Sequence, residues 1–283
     1  MRRSTNRLRR TYLDTRKVFG MPPLPEEQLG LLGADPFSDK DKLKSPEDGE
    51  ARPIDLGVTY LGPAYDTLVR DQRRTNRCTG FAGALGMTLM HAKLNNLVGD
   101  LSEPIEYSAN FAYWFARRNK QVDEGAFMRD LMHSLHTEGS VDGRLWPDIE
   151  NPLFFNKNLL EQNRFRIDGY ERIRTGHVDS VDNFNQVLSV ERIPIFIGML
   201  LHKRSTSNAT RHGRFEMPGL NDTQIGGHAM LIVGWQRVNG RVWYTTVNSW
   251  GQQSGDGGIY YVPEEAVRDS LVSDAWTVTK TTY

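Results

Sequence analysis

A single cysteine, Cys78, stands in a chain of 283 residues. With one thiol no intrachain disulfide can form, which excludes a small loop-rich scaffold stapled by bridges. A zinc site built from several thiolates is excluded as well. The chain must hold its shape by a hydrophobic core, and 38% apolar residues over this length suffice for one large domain or two packed lobes. A lone cysteine is either a small buried hydrophobe or a reactive thiol. Its sequence surroundings have to decide between the two.

Charge narrows the partners. Thirty-five basic residues balance 35 acidic ones, which leaves no global drive towards nucleic acid or acidic membranes. No apolar run approaches the roughly 18–20 residues that span a bilayer. The balance is local at the N-terminus, where residues 1–20 hold seven Arg or Lys against Asp14 alone, and residues 21–55 hold nine acids against four bases. The basic block has no apolar core of a secretory signal. Together with the absence of disulfides this gives an expectation of cytoplasmic residence, and a delivered effector or a phage protein would look the same. The acidic block contains Pro22, Pro23, Pro25, Pro36 and Pro46 and reads as an extended tether.

The two halves of the remaining chain differ in pattern. Residues 52–70 read as extended and turn-rich. Over 78–98 the composition is helical, with Phe81, Leu85, Leu89 and Ala92 forming one apolar stripe. A second helix is predicted over 108–119 with Phe111, Trp114 and Phe115 facing inward. A third is predicted over 126–136, ending at Gly139. After a short helix near 182–190 come strands over 193–200, 229–237, 241–248, 258–262 and 275–279. The Asn239-Gly240 pair between the second and third of these is a strong hairpin signal. A helical front and a sheet-rich back predict an α+β chain of two lobes.

Four blocks carry chemistry. Val69-Arg70-Asp71-Gln72 is followed six residues later by Cys78-Thr79-Gly80-Phe81-Ala82 at the head of the first helix. Gly226-Gly227-His228 opens a strand, and Val247-Asn248-Ser249-Trp250-Gly251 closes another. In order and spacing, 150 residues from Cys78 to His228 and 20 more to Asn248, these blocks resemble those of papain-like cysteine peptidases. Pro53-Ile54-Asp55-Leu56 resembles the start of the mature domain. The stretch from Gly125 to Asp130, with Trp146-Pro147 downstream, resembles bacterial members without disulfides.

The resemblance implies a helical lobe, about 78–170, packed on an antiparallel sheet or barrel lobe, about 171–283, with the site in the cleft between them. Residues 51–283 would then form the catalytic domain, and residues 1–50 an extension that covers the cleft or binds a partner, with 22–43 as the strap. It also implies a peptide or protein substrate, and neither cofactor nor metal.

In that reading Cys78 is the nucleophile. An ordinary thiol, with pKa near 8.5, is made more acidic by a helix N-terminus and a neighbouring imidazolium. His228 is the base, Asn248 orients it under the cover of Trp250, and Gln72 with the Cys78 backbone N–H stabilises the oxyanion. Gly125, Gly227 and Trp250 are the implied substrate-binding positions. Composition leaves no other thiol, and the other six histidines lack a comparable motif.

The chain departs from the pattern at 73–77, where Arg73, Arg74 and Arg77 replace glycines, and at Thr79-Gly80, where an aromatic is usual. Asp123 and Glu124 could select basic side chains, or be ordinary surface charge. An amidase or acyl-transferase on the same fold, and a silent binding domain, stand as alternatives.

Geometry sets one condition. A regular hairpin closed by Asn239-Gly240 pairs His228 with Gly251 and Asn248 with Leu231, which puts the two side chains on opposite faces. The triad therefore requires a register break between 228 and 248, and Gly234 is the candidate bulge.

Overall fold

The computed structural model describes residues 54–61, 69–95, 105–148, 161 and 163–280. The 22–43 strap therefore lies outside the described residues. Seven strands form one antiparallel sheet: β1 (Ile54–Asp55), β2 (Gly169–Arg172), β3 (Ile195–His202), β4 (Gln224–Val238), β5 (Arg241–Val247), β6 (Ile259–Pro263) and β7 (Val272–Lys280). Their order is β2-β7-β3-β4-β5-β6, with β1 added on β4. The long β4 pairs with β3 through its first half and with β5 through its second. Beyond the start of β3, β1 continues on β4, with Ile54 opposite Trp235.

Between β1 and β2 run α1 (Leu56–Leu61), α2 (Cys78–Leu94), α3 (Ala109–Ala116) and α4 (Met128–Thr137). Ser108 caps α3 by accepting from the Phe111 N–H at 3.0 Å. Gly139, with φ of 74°, takes the left-handed position after α4 and returns its N–H to the Ser134 carbonyl. Among the later elements are α5 (Ser180–Gln186), which continues as a π-turn to Glu191, α6 (Lys203–His212) and α7 (Glu264–Arg268).

Helix α2 is the central post, packed on α3, α4 and β4. The sequence predicts one buried stripe, but α2 is buried on nearly every side. Its other faces carry Gly80, Gly83 and Gly86, whose missing Cβ atoms let neighbours come close. An added Cβ would lie 2.3 Å from the Ala109 carbonyl oxygen at Gly80 and 2.2 Å from the Phe196 ring at Gly86. Hydrophobic periodicity treats such positions as neutral, whereas tight packing buries them.

Two other expectations change. Residues 56–61, predicted extended, form α1, with Leu56 and Leu61 fully buried. Trp114, predicted inward, is exposed at 37% and lies under the Arg117 guanidinium, 4.6 Å from the ring centroid. The 108–119 helix ends at Ala116; Phe111 and Tyr113 are buried on different sides of α3, and Phe115 is half-buried.

Candidate active site

The hairpin is not regular. Its register runs from Val238 opposite Arg241 to Gly234 opposite Thr245, then shifts, so that Ile232 faces Thr246 and Leu231 faces Val247. Val233 is the extra residue, one position before the expected bulge at Gly234. The single-residue slip moves the 248 position opposite Met230, on the face shared with His228. The two side chains meet there: His228 Nε2 lies 2.7 Å from Asn248 Oδ1.

The same oxygen fixes the proton. Asn248 Oδ1 also accepts from the Ser249 backbone N–H at 2.7 Å. A backbone N–H only donates, so the amide atom facing it is oxygen, and His228 Nε2 must carry hydrogen to bond to it. In the neutral ring the lone pair is therefore on Nδ1, on the edge turned away from Asn248. His228 is completely buried, and burial pulls its pKa down to about 4 against the smaller opposing effect of the Asn248 bond. Trp250 stacks on the ring with centroids 4.5 Å apart and planes 29° apart, which covers one face of the His228–Asn248 pair.

Cys78 is the first residue of α2 and is fully buried. Its Sγ accepts from the backbone N–H of Ala229, the neighbour of His228, at 3.4 Å. Both this N–H and the helix N-terminus favour negative charge on sulfur. The helix start is held to the rest of its lobe by Arg77, which donates to Asn110 Oδ1 at 2.7 Å, and by Thr79, which donates to the Ala126 carbonyl at 2.9 Å.

Gln72 is buried and stitched to the Asn248 loop. Its backbone N–H donates to the Ser249 carbonyl at 2.8 Å, and its side-chain oxygen accepts from Ser249 Oγ at 2.5 Å. The Nε2 group donates to the Thr75 carbonyl at 2.7 Å, in the turn that leads to Cys78. A bridge between Asp71 and Trp250, and the bond from the Gly251 N–H to the Arg70 carbonyl, extend the same seam. The structure thus brings Gln72, Cys78, His228 and Asn248 together at the junction of α2, β4 and the end of β5.

Of the expected substrate-binding positions, Trp250 sits against His228, and Gly227 is buried in the ladder opposite Leu200. Gly125 has φ of 91° and donates its N–H to the Tyr113 hydroxyl at 3.1 Å. Asp123 is exposed, and its two carboxylate oxygens accept from the Tyr113 hydroxyl and the Asn76 backbone N–H. Glu124 is exposed. Sequence reasoning missed the roles of Asn76, Thr79, Tyr113 and Ser249, polar partners whose contacts span 10 to 177 positions and leave no periodic trace. Among the described residues no group of acids, histidines and cysteine is placed to hold a metal ion, and no helix is long and apolar enough to cross a membrane.

Comparison with known proteins points to the same fold. Residues 158–275 match the family described as papain family cysteine protease. That stretch contains His228 and Asn248, while Cys78 and Gln72 precede it. An uncharacterized peptidase C1-like protein of Acanthamoeba polyphaga mimivirus is 26% identical over 226 residues, 75% of this chain and 70% of that one. Among solved structures, xylellain, a cysteine protease from Xylella fastidiosa, superposes with a TM-score of 0.67 at 24% identity, covering 96% of this chain and all of that one. The bromelain protease from Ananas comosus gives 0.59 at 16% identity, over 81% of this chain and 99% of its own. Together these show a papain-like α+β fold, whose residues 158–275 are similar to the papain family of cysteine proteases.

Proposed function

We propose that the chain is a cysteine peptidase in which Cys78 attacks the scissile carbonyl and forms an acyl-enzyme. The observation that carries this is the linked geometry of Cys78 Sγ on the Ala229 N–H and His228 Nε2 on Asn248 Oδ1. In this reading His228 Nδ1 takes the thiol proton and passes it to the leaving amine. Water, deprotonated by the same nitrogen, then attacks the acyl carbon and releases the thiol. Gln72 has a second N–H beyond the one used on Thr75. That N–H and the Cys78 backbone N–H are the donors for the oxyanion. Residues 1–50 are assigned in the same proposal as a cover for the cleft.

The test is labelling with a peptidyl epoxide or vinyl sulfone. Wild type takes up one equivalent, and Cys78→Ala and His228→Ala take up none. Folded wild-type protein that stays as inert as both variants would contradict the proposal.

One observation favours a second reading, a silent papain-like binding domain. Both Cys78 and His228 are fully buried, and a substrate has to reach the sulfur. The same labelling experiment separates the two.

A further inference from the structure

We propose that Asp123 is a positioning residue. It ties the turn before Cys78 to the segment around Gly125, so that nucleophile and facing wall keep one spacing. The proposal rests on the reading of Cys78 given above.

The bonds form a closed set. Asp123 Oδ1 accepts from the Tyr113 hydroxyl at 2.5 Å, and Oδ2 accepts from the Asn76 backbone N–H at 3.0 Å. The Asp123 carbonyl accepts from the Asn76 side chain. Tyr113 completes the ring by accepting from the Gly125 N–H at 3.1 Å. On the other side of the nucleophile, Thr79 holds the Ala126 carbonyl at 2.9 Å. Positions 76 and 79 bracket Cys78, and positions 123 and 126 bracket Gly125, so the two segments are stitched at both ends.

These side-chain bonds matter because no backbone ladder ties the segment to the turn before Cys78. Residues 117–127, between α3 and α4, form neither helix nor strand, and a chain with one cysteine cannot close the gap by a disulfide. Asp123 is exposed, and an exposed bond alone contributes little. Here the carboxylate accepts two bonds at once, one from Tyr113, which is only 3% exposed. Charge-assisted bonds to a desolvated hydroxyl are stronger and set direction as well as distance. Gly125, at φ of 91°, makes the sharp bend that directs its N–H to the hydroxyl, a conformation that other residues adopt at a cost.

The experiment compares two reagents on the full chain. Iodoacetamide needs only a reactive thiol, whereas a peptidyl vinyl sulfone must also lie along the Gly125 segment. Asp123→Ala and Tyr113→Phe are each expected to slow peptidyl labelling between about 10- and 100-fold, the range of small misplacements at a reacting centre. Alkylation by iodoacetamide is expected to stay at the wild-type rate. Asp123→Asn retains one acceptor and falls between, and the double variant is no slower than either single one, because the bonds act as a unit. Thermal unfolding establishes that each variant is folded, and Tyr113→Phe decides alone if Asp123→Ala is not. Wild-type peptidyl rates in the folded variants overturn the proposal, as does a parallel loss with both reagents. Wild type inert to both reagents removes the peptidase reading itself, and the positioning role with it.

Discussion

His228 and Asp274 are the two buried titrating residues whose charge the fold opposes most usefully for experiment. His228 has its pKa lowered from 6.5 to about 4, so it contributes stability that is present above about pH 6.5 and lost as pH falls towards 4. Asp274, on β7, has its pKa raised from 3.8 to about 6 by burial, against the Trp276 N–H at 2.8 Å and Arg172 at 3.7 Å. Its contribution is present below its unfolded value and lost as pH rises through 6. Each shift is on the order of 3 kcal/mol at roughly 1.4 kcal/mol per unit. The two slopes oppose one another between pH 4 and 6, so removing one exposes the other. Asp274→Asn is expected to lose stability as pH falls through this window, and His228→Ala to lose it as pH rises. Urea unfolding at several pH values checks both, and variants with the wild-type profile would sink the account. At this scale Cys78, His228, Asn248 and Gln72 were legible because each sits in a block of distinctive neighbours. Asp274 was not, since an acid in a strand has no sequence mark of its burial.

Elements show where pattern reading works and where it stops. The Asn239-Gly240 hairpin was legible, and even its bulge could be required from the need to bring His228 and Asn248 to one face. The residue actually inserted, Val233, was not, because an apolar residue inside an apolar strand carries no signal. The full burial of α2 was hidden for a related reason: its helix contacts run through glycines. That gives a prediction in which two effects compete. Gly80→Ala gains about 1 kcal/mol of helix propensity, but overpacking typically costs about 1–3 kcal/mol. With the new Cβ 2.3 Å from a backbone oxygen and 2.6 Å from the Tyr113 Cβ, the packing cost wins. The expected result is a lower urea midpoint at unchanged slope. Gly219, with nothing within 4 Å of its added Cβ, is the control. Gly219→Ala is expected to be neutral or to gain up to about 1 kcal/mol by restricting the unfolded chain.

At the scale of the molecule, the α+β class was legible from the change of pattern near the middle of the chain, and the order of the strands was not, because pairing between distant segments leaves no local trace. Access to the site is the question that belongs here. Cys78 and His228 have no exposed surface, and a peptide must place a carbonyl against the sulfur before any chemistry begins. Under the peptidase proposal, either the helical part and the sheet move apart, or a segment moves off the cleft. The proposal assigns that segment to the acidic, proline-rich stretch within residues 1–50. Under the proposed assignment, deleting residues 1–50 speeds labelling of Cys78 by a peptidyl vinyl sulfone, and adding the excised segment as a peptide slows it again. The basic block at 1–20 and the acids that follow carry opposite charge, so raising salt should weaken any electrostatic part of that inhibition. A labelling rate unchanged by the deletion would place the barrier in the packing of α2 against β4, where only motion of the two parts could open it.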